Sequence, residues 1–218
     1  GVAMTTALIG CLVGAMIAGA MADKYGRKPL LIIAAILFTV SAVATGVFDD
    51  FTLFNIARFV GGIGIGIASA LSPMYIAEIS PSAIRGKLVS LNQMTIVLGI
   101  LGAQIANWLI AEDVPSSFGN AEILSSWNGQ MGWRWMFWAE AVPASLFLVL
   151  AFFIPESPRW QVLRGYQSQA QATLTHIGGE EYAHAEMESI RQSVNADASA
   201  EKAGLKTLFS RKYATVLT

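Results

Sequence analysis

The sequence predicts an all-α polytopic membrane protein, and its composition and charge distribution are the basis for this prediction. Of the 218 residues, 54% are hydrophobic and 13% are charged, whereas a soluble domain carries roughly 25% charged residues. The charges lie in short links between long uncharged segments, and these segments have no polar face. Glycine and proline recur inside the segments, as they do in membrane helices.

Five segments are long enough to cross a hydrocarbon core about 30 Å thick. The predicted spans are 1–22, 30–48, 52–76, 88–110 and 135–154. The first segment has no basic amino-terminal region and no clear cleavage site, so we do not predict that it is a signal peptide. Because the chain begins inside a hydrophobic segment, we expect that another span precedes it. Cys11 lies in the first span and is predicted to be a small core residue.

Basic and acidic residues separate onto opposite sides of the predicted spans. The links after the first, third and fifth spans carry Lys24, Arg27, Lys28, Arg85, Lys87, Arg159 and Arg164. The other links carry Asp49, Asp50, Glu112, Asp113 and Glu122, with Arg134 at the mouth of a span. We call the first side the basic end and the second side the acidic end. The positive-inside rule places the basic end in the cytoplasm.

After the fifth span the chain becomes polar, and residues 156–207 are predicted to form an intracellular helical domain. Helices are expected over 159–177 and 180–194, with Gly178 and Gly179 between them and a linker over 195–204. An apolar stripe supports this prediction; it comprises Trp160, Leu163, Leu174, Ile177, Met187 and Ile190. Residues 208–218 are predicted to begin a seventh span. His176 and His184 are expected on the surface.

Two ionisable residues lie inside the spans at a similar depth. Arg58 in the third span and Glu140 in the fifth are each about 9 Å from the acidic end, at ~1.5 Å per residue. A charge at this depth is costly, so it usually pairs, faces a water-filled cavity or marks an ion pathway. Two interpretations remain open. Protonation of the carboxylate could switch Arg58 between partners and couple proton movement to conformation, or the two charges could be a static tie.

Small residues recur every fourth position in two spans, which indicates close helix packing. Gly10, Gly14 and Ala18 share one face of the first span. Gly62, Gly66 and Ala70 share a face of the third span with Arg58. In lipid, such faces allow backbones to approach closely.

The fourth span contains amides, among which Gln93 and Gln104 share a stripe with Ile100. On a helix, Ile100 and Gln104 lie about 20° to either side of Gln93. An amide offers both donors and an acceptor, which suits sugar hydroxyls. The alternative is hydrogen bonding between helices.

Pairs of acids and bases flank three span ends at the basic end, and they form the predicted latch: Asp23, Arg27, Glu78, Arg85, Glu156 and Arg159. The alternative is a solvated charge cluster, which would contribute little to stability.

Four segments together resemble the sugar porter family of the major facilitator superfamily. The first is segment 19–29, which contains Asp23 and Gly26, and the second is segment 74–88, which contains Glu78 and Arg85. The other two are the Pro-Glu-Ser-Pro-Arg-Trp motif over 155–160 and the Gly-Trp-Arg-Trp-Met-Phe motif over 132–137. The last is similar to bacterial proton-coupled members, xylose symporters above all. The resemblance runs over nearly the whole chain but covers only the second to sixth spans, the intracellular domain and the start of the seventh.

The resemblance implies alternating access by two six-helix bundles around a central sugar site. It implies that Gln93 binds a sugar hydroxyl, and that Arg58 and Glu140 act with an aspartate of the first span in proton coupling. It also implies that the six latch residues steady the outward-facing state. Ile100 is a departure, because xylose symporters have a second glutamine there, whereas facilitative glucose carriers have isoleucine as this chain does.

We therefore predict a sugar transporter, moving a monosaccharide with proton symport, in the bacterial inner membrane. Its expected partners are the monosaccharide, the proton, the lipid bilayer, and the missing first span and carboxy-terminal bundle of the same protein. No cofactor, metal or nucleic acid is expected, and no span offers a nucleophile with a base, so the chain is not read as an enzyme. A facilitative hexose or polyol/inositol carrier and a transporter-like membrane sensor are the alternatives.

Overall fold

The computed structural model describes residues 1–115 and 119–200, and the chain divides into two compact units, Gly1–Ser157 and Pro158–Thr218. The helices of the first unit are α1 (Val2–Tyr25), α2 (Arg27–Val47), α3 (Phe51–Ile79), α4 (Arg85–Ile110), α5 (Asn120–Ser125) and α6 (Trp133–Phe153). A π-helical turn, Asn128–Gly132, leads directly into α6. The helices of the second unit are α7 (Pro158–Leu163), α8 (Gln167–Gly178) and α9 (Glu180–Ala200).

The described residues include five helices that are long and apolar enough to cross a membrane: α1, α2, α3, α4 and α6 with its π-helical turn. Each predicted span falls on one of them. The described ranges contain no strand. The predicted fold class, an all-α polytopic membrane protein, is therefore confirmed.

Helix α3 lies between α1 and α2, and its glycines allow this close packing. A Cβ atom at Gly66 would lie 2.1 Å from the carbonyl oxygen of Cys11 on α1. On another side of the helix, a Cβ at Gly61 would lie 2.2 Å from the Ser41 hydroxyl of α2. The predicted small-residue face therefore packs against α1 at Gly62 and Gly66, although Ala70 of the same stripe is exposed.

A hydrophobic core joins α1, α2 and α3 towards the basic end. It contains the buried residues Ala18, Ala22, Leu30, Leu31, Ala34, Ile67, Leu71 and Tyr75. Helix α4 is different because it has no buried residue. Residues of α4 therefore present open surface in this unit.

The first link is much shorter than predicted. The predicted spans left a link over 23–29, but α1 continues to Tyr25 and α2 begins at Arg27. Only Gly26 separates the helices, and its φ of +99° is a conformation that favours glycine. The charged residues of this link therefore lie on helix ends, where they can reach the helix termini.

The second unit also differs from its prediction in two places. The helix expected over 159–177 is broken into α7 and α8 around Gly165, whose φ is +83°. The linker expected from residue 195 is helical to Ala200, consistent with the high helix propensity of its alanines. Residues 201–204 of that linker and the predicted seventh span over 208–218 lie outside the described residues.

The second unit has its own core, formed by Ala170, Leu174, Ala183, Met187 and Ile190. Three of these, Leu174, Met187 and Ile190, belong to the predicted apolar stripe. Leu163 is 52% exposed, and His176 and His184 are exposed as expected.

Ordered turns close the acidic end of the first unit. Asp50 caps α3 by accepting N–H bonds from Leu53 at 3.0 Å and Thr52 at 2.8 Å, and these bonds lower the pKa of its carboxyl. Near the end of α4, the Asn128 amide binds both the N–H and the carbonyl of Glu112, at 2.9 and 2.7 Å. The π-helical turn is therefore fastened to the chain that follows α4.

Candidate functional site

Arg27 is the centre of the charge cluster at the basic end. Its Nε and a terminal nitrogen donate to the two carboxylate oxygens of Glu78 at 2.9 and 2.8 Å. The side chains of Arg27 and Glu78 are only 4% and 9% exposed. Arg27 also donates to the Ala22 carbonyl at 3.1 Å and lies 3.4 Å from the Asp23 carboxylate. A forked pair with this little exposure holds α2 and α3 in one register.

Glu156 caps the start of α2, although it lies near the end of the first unit in the chain, just after α6. Its Oε1 accepts the backbone N–H of Arg27 at 2.8 Å, and its Oε2 accepts that of Lys28 at 3.2 Å. A carboxylate is favoured at a helix amino terminus, because it satisfies free N–H groups and complements the dipole. Gly26 makes room for it, since a Cβ there would lie 2.3 Å from Glu156 Oε2.

At the basic end, α2 and α6 cap each other: Glu156, just after α6, binds the start of α2, and Lys28 of α2 binds the end of α6. Lys28 Nζ donates to the carbonyl of Phe152, in the last turn of α6, at 2.9 Å. A cation at a helix carboxy terminus is favourable for the same electrostatic reason. Tyr75 of α3 adds a hydrogen bond of 2.8 Å to the Pro155 carbonyl, beside Glu156.

The structure thus brings four of the predicted latch residues together: Asp23, Arg27, Glu78 and Glu156. Arg85 lies at the start of α4 and donates to the Ser80 carbonyl at 3.4 Å. Arg159 belongs to the second unit, in α7. The latch function itself stays a prediction.

A second clamp joins α2 and α6 at the acidic end. Arg134, at the start of α6, forms an ion pair with Asp49. It also donates to the carbonyls of Gly46 and Val47, the last two residues of α2, at 2.9 and 3.3 Å. Charged residues in or beside α6 therefore bind both ends of α2, and Lys28 of α2 binds the last turn of α6.

Sequence reasoning missed this clamp and noted Arg134 only as an isolated cation. The sequence did contain a signal for it: Arg134, at the start of the fifth span, lies on the same predicted side as Asp49 and Asp50, which follow the second span. Trp138 supports the clamp by donating from its indole N–H to the Val43 carbonyl at 3.3 Å.

Arg58 and Glu140 occupy matching positions on α3 and α6. Each is the eighth residue of its helix, counted from Phe51 and Trp133. The Arg58 guanidinium lies over the ring of Phe137, with its Cζ 5.1 Å from the ring centroid. Phe137 precedes Glu140 by one helical turn on α6. Within the described residues no ion pair joins Arg58 directly to Glu140.

The amide stripe lies on the open helix. Gln93, Ile100 and Gln104 of α4 are all exposed. An exposed amide retains its donors and acceptor for a ligand, but the described structure does not enclose these residues in a cavity. Sugar binding therefore stays a prediction.

A bundle of apolar helices that carry ionisable residues at matching depths is typical of one class of membrane protein, the polytopic transport proteins. The profile of the family described as "Sugar (and other) transporter" matches residues 1–218. The chain belongs to this sugar transporter family.

Curated relatives agree with this assignment. The chain is 41% identical over 214 residues to the glucose transport protein of Synechocystis sp., covering 97% of this chain and 44% of that one. It is 41% identical over 213 residues to the D-xylose-proton symporter of Escherichia coli, covering 89% and 42%. It is 37% identical to the arabinose-proton symporter of Bacillus subtilis, covering 90% and 40%. The chain thus spans less than half the length of these relatives.

Solved structures show the same fold. The proton:xylose symporter bound to 6-bromo-6-deoxy-D-glucose superposes with a TM-score of 0.81 at 38% identity, covering 92% of this chain and 44% of that one. The inward open conformation of the xylose transporter from E. coli superposes with a TM-score of 0.76 at 39% identity, covering 88% and 45%. The first is described as a member of the major facilitator superfamily, as the sequence resemblance implied.

Proposed function

We propose that the protein containing this chain moves a monosaccharide across the bacterial inner membrane by alternating access, with proton symport. Family membership supports transport of a sugar. Two of the relatives are named as proton symporters, for xylose and for arabinose. The relatives compared above are transporters rather than enzymes, and we propose no catalytic activity.

The observation that carries proton coupling is the placement of Arg58 on the Phe137 ring, one turn from Glu140, without a direct ion pair. A guanidinium held in this way remains available to a nearby carboxylate. When Glu140 loses its proton, the new negative charge attracts Arg58; when Glu140 is protonated, the attraction is lost. Two charge states thereby favour two side-chain arrangements, which is what coupling to a conformational change requires.

For sugar recognition we assign Gln93, whose amide can donate to one hydroxyl and accept from another. Ile100 and Gln104 share its stripe on α4. Ile100 would contribute apolar contact instead of the amide that xylose symporters have at this position. The substrate of this protein therefore stays open among monosaccharides.

For the basic end we propose a cytoplasmic latch. Arg27, Glu78 and Glu156 already form a contiguous set of charge-assisted bonds. Asp23, Arg85 and Arg159 complete the proposed set. Breaking it would shift the population away from the outward-facing state, in proportion to the bonds lost.

The test is sugar-driven alkalinisation by vesicles containing the protein as the cell makes it. We expect Glu140→Gln to abolish uphill uptake and alkalinisation while leaving sugar exchange intact. Glu112→Gln is the matched control, because Glu112 is an exposed acid outside the spans. Unchanged uphill uptake by Glu140→Gln would remove Glu140 from the coupling mechanism.

A facilitative carrier is the second candidate, favoured by Ile100, the residue at this position in facilitative glucose carriers. It predicts sugar equilibration with no alkalinisation in the unmodified protein. Competition of uptake by glucose, xylose, arabinose and inositol identifies the substrate, and Ile100→Gln tests whether this position discriminates among them. A membrane sensor would bind sugar without counterflow.

A further inference from the structure

We propose that Phe137 is a positioning residue for Arg58: the face of its ring holds the guanidinium beside Glu140, and Phe54 and Trp133 hold the ring in place. This inference rests on the proposed function, because it concerns the same pair of charges. It adds three aromatic residues to which the sequence analysis gave no individual role.

The contact between Arg58 and Phe137 is the first step. The Arg58 Cζ lies 5.1 Å from the Phe137 ring centroid, within the ~6 Å over which a cation is attracted to a ring face. Within the described residues, no hydrogen bond or ion pair of the Arg58 side chain accompanies this contact. The ring is therefore the group that fixes the position of the guanidinium.

The second step is that the ring itself is fixed. Phe54, Trp133 and Phe137 contact one another edge to face, with centroid distances of 5.8, 6.0 and 6.2 Å. Phe54 lies one turn before Arg58 on α3, and Trp133 lies one turn before Phe137 on α6. Arg134 in turn lies over Trp133, its Cζ 4.6 Å from that ring. The cluster is thus continuous with the clamp at the acidic end.

Packing alone does not account for this arrangement. The three rings are only half-buried and lie outside the hydrophobic core of α1, α2 and α3. An aliphatic side chain would fill the same space but would offer no negative ring face to the guanidinium. The aromatic character at position 137 is therefore the property to test.

The experiment weakens the ring face without changing its shape. Phe137 is replaced in the protein as the cell makes it by phenylalanine carrying one, two and then three fluorine atoms, which withdraw electron density from the ring. Uphill uptake, alkalinisation and sugar exchange are measured in vesicles. We expect uphill uptake to fall stepwise, by about tenfold at full fluorination, while exchange is retained. The same series at Phe153, which is 81% exposed on the same helix, is the control and should change nothing.

Two substitutions complete the test. Phe137→Trp keeps a ring face and should retain coupling, whereas Phe137→Leu should lose it and shift the pH profile of uptake. Equal uphill uptake across the fluorinated series, or equal loss in Phe137→Trp and Phe137→Leu, overturns the proposal.

Failure of the proposed function is recognised separately, by an unmodified protein that gives no alkalinisation.

Thermal unfolding in detergent tests the contact between Arg58 and Phe137 itself. Arg58→Met and Phe137→Leu should lower the melting temperature by no more together than the larger single effect. Additive shifts would show that the two side chains do not interact.

Discussion

The carboxylate of Glu156 caps a helix that begins 129 residues earlier, with its Oε1 2.8 Å from the amide nitrogen of Arg27. Arg27 in turn directs its side chain to Glu78 on α3. One residue therefore receives the cap through its backbone and forms the ion pair through its side chain. Three helices, α2, α3 and α6, are connected at this point.

Removal of this cap should destabilise the first unit. We expect Glu156→Ala to lower the free energy of unfolding by about 1–2 kcal/mol, the usual cost of losing a cap. Glu156→Gln should cost less, because its single amide oxygen can still accept the N–H of Arg27, although its amide nitrogen cannot accept that of Lys28. Melting temperatures in detergent measure both, with Glu112→Ala as the control for loss of an exposed acid. Equal values for Glu156→Ala and Glu112→Ala would contradict the cap.

Gly26→Ala should be more harmful than the same change at another glycine with positive φ. Alanine at either position pays roughly 1–3 kcal/mol for its positive φ. At Gly26 the new Cβ would also lie 2.3 Å from Glu156 Oε2 and displace the cap, whereas at Gly165 nothing lies within 4 Å. Thermal unfolding of the two variants separates strain from displacement, and equal losses would show that the cap is not disturbed.

The interface between α1 and α3 should not tolerate one added methyl group. Gly66→Ala places a Cβ 2.1 Å from the Cys11 carbonyl oxygen, between two backbones that cannot rotate away. We expect a loss of about 1–3 kcal/mol, as for an overpacked core. Gly99→Ala on α4 is the matched control: it meets open space and should gain up to about 1 kcal/mol of helix propensity. Circular dichroism melts in detergent measure both changes.

The clamp at the acidic end should depend on Arg134 more than on Asp49. The Arg134 side chain is 16% exposed and serves two carbonyls, whereas Asp49 is 85% exposed. Arg134→Gln should therefore cost about 1–3 kcal/mol, because carbonyls at the end of α2 lose their donor. Asp49→Asn should cost less than about 1 kcal/mol, as is usual for an exposed pair. A larger loss for Asp49→Asn, in the same melting assay, would reverse this assignment.

Long-range contacts explain where sequence reasoning stopped. The spacing of Gly62 and Gly66 predicted a close helix face, and the structure confirms that α1 packs there. The cap by Glu156 on the amino terminus of α2 could not be predicted, because it joins residues far apart in the chain. The clamp by Arg134 was missed although its arginine and the two acids were predicted on the same side. The break at Gly165 was missed because an apolar stripe continues across it without marking the turn.

The sequence by itself determined that this is an all-α membrane protein of the sugar transporter family, because long apolar runs and local motifs are properties of neighbouring residues. Only the tertiary structure decided which charge meets which group. It places the Arg27 side chain on Glu78, Glu156 on the amino terminus of α2, and Arg58 on Phe137 instead of directly on Glu140. The reason is physical: at a helix end or inside a bundle, a charge is stabilised by whatever donor, acceptor or ring face the packing brings within reach.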